Sequence, residues 1–72
     1  MASGFAYFDD SKIAVENKIS SLVSRFTDRF GKLPGTIYVH KNLEINPDFQ
    51  KGAILKIIPD KQIYSKNLFM LE

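Results

Sequence analysis

The apolar residues between Ser11 and Gly31 recur with the period of an α-helix. Their spacings of three and four residues keep them within an arc of about 80°, since successive helical residues turn by about 100°. The five that define this stripe are Val15, Ile19, Leu22, Phe26 and Phe30, and Val23 widens it. The pattern therefore predicts one long amphipathic helix with a single face directed at the core.

Residues at the two ends of the stripe predict where this helix begins and ends. Asp9, Asp10 and Ser11 have side-chain oxygens that can accept the free N–H groups of a first helical turn, so we expect the N-cap among them. Gly31 suits the left-handed conformation that closes many helices, and Pro34 prevents continuation. We expect the helix to extend from about Ser11 to Phe30.

Strand character appears before the helix and after it. Residues 4–8 form a short aromatic segment, which predicts a first strand or an arm that lies on the core. Residues 36–40 alternate, with Ile37 and Val39 on one face. Residues 53–58 are almost continuously apolar and predict a central strand.

The C-terminal third predicts a hairpin. Pro59 begins a turn over residues 59–62. Residues 63–65 and 67–71 return as a strand antiparallel to residues 53–58, with an interruption at Lys66 and Asn67 left open. Residues 46–52 predict a single helical turn, because Asn46 is a good cap, Pro47 suits the first helical position and Phe49 can anchor the turn.

These elements follow one another in the order (β)αβββ. That order predicts an α+β fold, in which one long amphipathic helix packs on a small three- or four-stranded, mainly antiparallel sheet. The 72 residues predict a single domain. Residues 1–4 and 71–72 are typical of short vector-derived or disordered ends.

Composition excludes several classes of site. The chain has no cysteine and one histidine, so we expect no disulfide, no metal site and no cofactor. No apolar run approaches the ~18 residues of a membrane span, and no signal-peptide pattern is present. We therefore expect a cytoplasmic protein that does not enter a membrane.

Positive charge follows one border of the helical stripe. Lys18, Arg25 and Arg29 lie along that border, and Lys32 follows in the next loop. Such a row suits a phosphate backbone, which makes nucleic-acid binding the alternative function. The simpler interpretation is that these long side chains lie along the apolar face with their charged ends in water.

Aromatic and basic residues suggest two further sites. A shared sheet face would offer stacking surfaces beside cations, and its members would be Tyr38, His40, Lys56, Tyr64 and Lys66. His40, the single histidine, could act as a base beside Tyr38, yet no acid stands at a fixed spacing from it. A surface histidine is the simpler interpretation, so we predict no catalytic residue and a non-enzymatic protein.

The C-terminal segment is more apolar than one helix can cover. We expect its surplus to form an interface made of Ile54, Ile58, Leu68, Phe69 and Met70. A small sheet of this kind buries a second face, or extends an edge, through a symmetric partner. The sequence thus predicts a protein–protein interaction or assembly module that forms a homo-oligomer, with a dimer as the expected state.

Overall fold

A computed structural model describes residues 5–52 and 55–72. It contains β1 (Phe5–Phe8), α1 (Val15–Phe30), β2 (Thr36–His40), α2 (Pro47–Gly52), β3 (Lys56–Asp60) and β4 (Leu68–Leu71). The predicted α+β class is confirmed, since one long helix accompanies a four-stranded, mostly antiparallel sheet. The predictions for residues 1–4 and for Ile54 concern positions outside the described residues.

The sheet has the strand order β1-β4-β2-β3. β4 lies between β1 and β2 and is antiparallel to both, whereas β3 is parallel to β2 at the far edge. The predicted hairpin between residues 53–58 and 63–71 is therefore wrong. β3 and β4 are not neighbours, because residues 61–67 pass beyond the end of β2 before β4 begins.

The limits of β3 and β4 also differ from those predicted. β3 extends to Asp60, so Pro59 lies within the strand, and the turn occupies Lys61 and Gln62. Alternate β3 residues bond to β2, beginning with the N–H of Lys56, which donates to the carbonyl of Gly35 over 2.9 Å. Pro59 is therefore one of the β3 residues whose backbone groups point away from β2, and its missing N–H costs no hydrogen bond between the strands. Residues 63–65 are not a strand, and β4 comprises only Leu68–Leu71.

The long helix ends where predicted and begins later. Gly31 has φ 71°, and its N–H donates to the carbonyl of Thr27 over 2.8 Å, which confirms the predicted end. The predicted N-cap is wrong, because α1 begins at Val15 and is preceded by Ala14, which makes no side-chain cap. Asp9 instead accepts the N–H of Ser11 over 2.9 Å in a local turn. That turn competes with the cap.

The core lies between α1 and one face of the sheet. Its buried members are Ile19, Leu22, Phe26, Ile37, Val39, Leu55, Phe69 and Leu71. Ile37 and Val39 face the helix as predicted, and Val15 and Val23 pack at the margin of the cluster. Leu71 is fully buried, and the N–H of Glu72 donates to the carbonyl of Thr36 over 3.0 Å.

The short helix α2 forms as the sequence predicts. The side chain of Asn46 accepts the N–H of Asp48 over 2.8 Å, so Asn46 acts as the cap ahead of Pro47. Phe49 packs against the same core cluster as α1. Both described helices therefore lie on one side of the sheet, and neither has the length and apolar character needed to cross a membrane.

Candidate interaction surface

Strand register assigns each sheet residue to one of two faces. Cα partners in neighbouring strands share a face, and successive residues of one strand alternate. The face opposite the helices, here called the open face, follows from the pairs that include Tyr38 with Met70 and Tyr38 with Ile58. Its members are Ala6, Phe8, Thr36, Tyr38, His40, Lys56, Ile58, Asp60, Leu68 and Met70.

The open face carries apolar side chains that neither described helix covers. Phe8 is 58% exposed and Ile58 is 37% exposed, whereas Leu68 and Met70 are half-buried. These four residues belong to β1, β4 and β3, and Tyr38 of the intervening β2 is the register partner of both Met70 and Ile58. Exposed apolar surface that continues across several strands is characteristic of interaction sites.

A groove of about 440 Å³ lies on the open face beside the segment that connects β3 to β4. Ile63 of that segment is buried outside the main core, and Tyr64 is 79% exposed. The groove is lined by Tyr38, Asp60, Gln62, Ile63, Tyr64, Leu68, Met70 and Glu72. Its walls are therefore mainly apolar and aromatic, with one carboxylate from β3 and one from the residue after β4.

Tyr38 and Glu72 form the clearest polar contact in the groove. The hydroxyl of Tyr38 donates to Oε1 of Glu72 over 2.7 Å. This hydrogen bond raises the pKa of Tyr38 above its ordinary value, and burial and the negative charges of Glu72 and Asp60 act in the same direction. The contact fixes the tyrosine ring along the open face.

His40 and Asp60 are register partners on the open face, but each uses its side chain locally. Nδ1 of His40 accepts the N–H of Asn42 over 3.0 Å, and Oδ1 of Asp60 accepts the N–H of Gln62 over 2.8 Å. These bonds stabilise the turns that follow β2 and β3. Nδ1 of His40 is therefore engaged with the backbone of the turn that follows β2.

The residues predicted as an interface are divided between the two faces. Ile58, Leu68 and Met70 lie on the open face, whereas Phe69 is fully buried in the core. Sequence reasoning did not include Phe8 in this surface. The alternation within residues 5–8 indicates that Phe5 and Phe8 lie on opposite faces of the sheet. Only the antiparallel register with β4 shows which of them faces away from the helix.

The predicted basic row is not one continuous surface. Lys18 is only 7% exposed, and its ammonium group donates to the carbonyl of Asp9 over 3.0 Å. The guanidinium carbon of Arg29 lies 4.2 Å from the ring centroid of Phe5, in a cation–π contact. Arg25 and Lys32 are exposed.

The predicted aromatic and basic face is formed in part. Tyr38, His40 and Lys56 share the open face, and Tyr64 lies beside them along the groove. Lys66 is exposed in the turn that precedes β4. The carboxylates of Asp60 and Glu72 lie among these residues, so the groove is not purely basic.

Within residues 5–52 and 55–72, no group of three or more histidine, cysteine or acidic side chains could hold a metal ion. No family model matches the chain, and comparison with curated proteins and with solved structures gives no match either. The open face is therefore the feature of this fold from which a function can be argued.

Proposed function

We propose that this protein is a small interaction module that self-associates through its open face. The observation that carries the proposal is the apolar surface on the side of the sheet that neither described helix covers, where Phe8 and Ile58 are exposed. A sheet buries both faces when a second layer is available, and two such faces pack about 10 Å apart. A second copy of the chain provides that layer.

The charges of β3 support a second copy as the occupant. On the open face, Lys56 stands at one end of β3, Asp60 at the other, and Ile58 between them. Consider a two-fold axis that lies between the two sheets and runs perpendicular to their strands. It places the β3 strand of one copy over the β3 strand of the other in antiparallel orientation. Lys56 then approaches the partner's Asp60, and Ile58 meets its own copy. Such self-complementarity is what a two-fold interface requires.

The size of the face sets the expected strength of association. Two strands of five residues and two of four, about 4.8 Å apart and rising about 3.3 Å per residue, make a face of about 300 Å² in plan. Two faces thus bury about 600 Å², which lies below the range of stable complexes. We therefore expect a dimer that forms at high micromolar concentration and dissociates on dilution.

Sedimentation equilibrium over a concentration series tests the proposal. We expect the wild-type chain to reach the mass of a dimer or larger, and Ile58→Lys to weaken the association at least tenfold, because it places a charge in the centre of the contact. Leu33→Lys is the matched control, since Leu33 is 55% exposed and lies outside the sheet. A wild-type monomer at about 1 mM, or equal effects of both variants, contradicts the proposal.

Nucleic-acid binding is the competing function, and a salt series separates the two. Arg25, Arg29 and Lys32 remain on the surface, and a phosphate contact by these cations weakens as salt rises. Apolar self-association does not depend on salt in this way. Binding of a labelled oligonucleotide at low salt that disappears in Arg25→Gln favours this alternative over the interaction module.

A further inference from the structure

The free edge of β1 differs from the free edge of β3. The N–H of Asp9 donates to the carbonyl of Asn67 over 2.8 Å, so odd-numbered residues of β1 bond to β4. The N–H and C=O groups of Ala6 and Phe8 consequently point outward, and no described strand pairs with them. An edge that carries unpaired donors and acceptors is a template for another strand.

The other edge is blocked by its own sequence. Ile57 and Pro59 are the outward residues of β3, and Pro59 has no N–H to offer. Lys56 also places a charge at that edge. Proline and lysine are the residues by which natural sheets prevent edge pairing, and the described part of β1 has neither. Among residues 5–52 and 55–72, the edge open to strand addition is therefore that of β1.

We propose that β1 is a second self-association surface, through which two copies join their sheets edge to edge. The geometry favours an antiparallel pair centred on Tyr7, in which Ala6 lies opposite Phe8 of the partner subunit. This register uses all four outward groups of each β1 strand and forms four backbone hydrogen bonds. It also sets the small side chain of Ala6 beside the large ring of Phe8 on the open face.

Together with the proposed function, on which this step rests, the edge contact predicts a closed tetramer. The two-fold axis of the face contact crosses the strands at the level of Ile58, which register aligns with Ala6. The axis of the edge contact is perpendicular to the sheet at Tyr7, one residue or about 3.3 Å away along the strand. Two eight-stranded sheets packed face to face form a closed tetramer when two perpendicular two-fold axes intersect, so closure shifts the face contact by about 3.3 Å along the strands.

Amide hydrogen exchange on the wild-type chain is the first test, because it needs no variant. We expect the N–H groups of Ala6 and Phe8 to become protected as protein concentration rises, at least tenfold over the range in which the assembly forms. The N–H of Ile57 is the internal control, since it points outward on the blocked edge. Fast exchange of Ala6 and Phe8 at every concentration overturns the edge contact, as does protection that does not change with concentration.

Variants separate the edge contact from the face contact. Ala6→Pro removes one outward donor and no β1–β4 hydrogen bond, so we expect native mass spectrometry and sedimentation to show a dimer where the wild type is a tetramer. Ala6→Ser keeps the donor and the size, and should remain a tetramer. If Ala6→Pro assembles like the wild type, the edge contact is wrong and the face contact stands. If Ile58→Lys assembles like the wild type, the face contact is wrong.

Discussion

The ammonium group of Lys18 lies 3.0 Å from the carbonyl oxygen of Asp9, in the interior between α1 and the segment that follows β1. The same group is 3.5 Å from Oδ1 of Asn67, which precedes β4. The side chain of Lys18 thus links the residue that follows β1 to the residue that precedes β4. Lys18 therefore has a structural role.

Replacement of Lys18 should therefore destabilise the protein. Lys18→Met keeps the aliphatic part of the side chain and removes the donor, which leaves the carbonyl of Asp9 without its partner. We expect a loss of about 1–3 kcal/mol in the free energy of unfolding, measured by urea denaturation. Lys12→Met is the control, because Lys12 is exposed. Equal stabilities of the two variants would show that the contact has little energetic weight.

The end of α1 gives a second prediction, based on backbone conformation. Gly31 has φ 71°, a region that costs a residue with a side chain about 1–2 kcal/mol. We expect Gly31→Ala to lose about 1 kcal/mol of unfolding free energy, and Gly31→Asn to lose less, since asparagine tolerates this conformation.

Gly35→Ala is the matched control for this effect. A Cβ atom at Gly35 meets only the carbonyl oxygen of Glu72, at 3.9 Å, and Gly35 has no positive φ. Its substitution should change the stability by less than about 0.5 kcal/mol. A similar loss at both positions would mean that the left-handed conformation is not the cause.

The end of α1 was predictable and its start was not, for a physical reason. Gly31 and Pro34 act on the backbone within a few residues, so their effect can be derived from the sequence. Asp9 had several local partners available. Its carboxylate bonds to the N–H of Ser11, and its carbonyl accepts the ammonium group of Lys18, nine residues along the chain. Tertiary contacts of this kind are invisible to a reading of the local pattern.

The same distinction applies to the open face. Alternation in residues 36–40 correctly separates Ile37 from Tyr38, because that pattern is local. The position of β4 between β1 and β2 depends on pairings with residues more than thirty positions away. The predicted surface therefore included Phe69, and it omitted Phe8.

The hydrogen bond between Tyr38 and Glu72 predicts a measurable titration. It raises the pKa of Tyr38 above the ordinary value of 10.0, because the bond favours the protonated phenol. A raised pKa means that the contribution of this group to stability is complete below pH 10 and is lost as the pH rises through the higher value. In ultraviolet titration we expect a late ionisation step, above pH 10, that belongs to Tyr38. Tyr38→Phe should remove that late step, and Glu72→Gln should move it to lower pH. Tyr64→Phe, at an exposed position, should leave it in place. A titration curve in which Tyr38→Phe removes no late step would show that the Tyr38–Glu72 hydrogen bond is not maintained in solution.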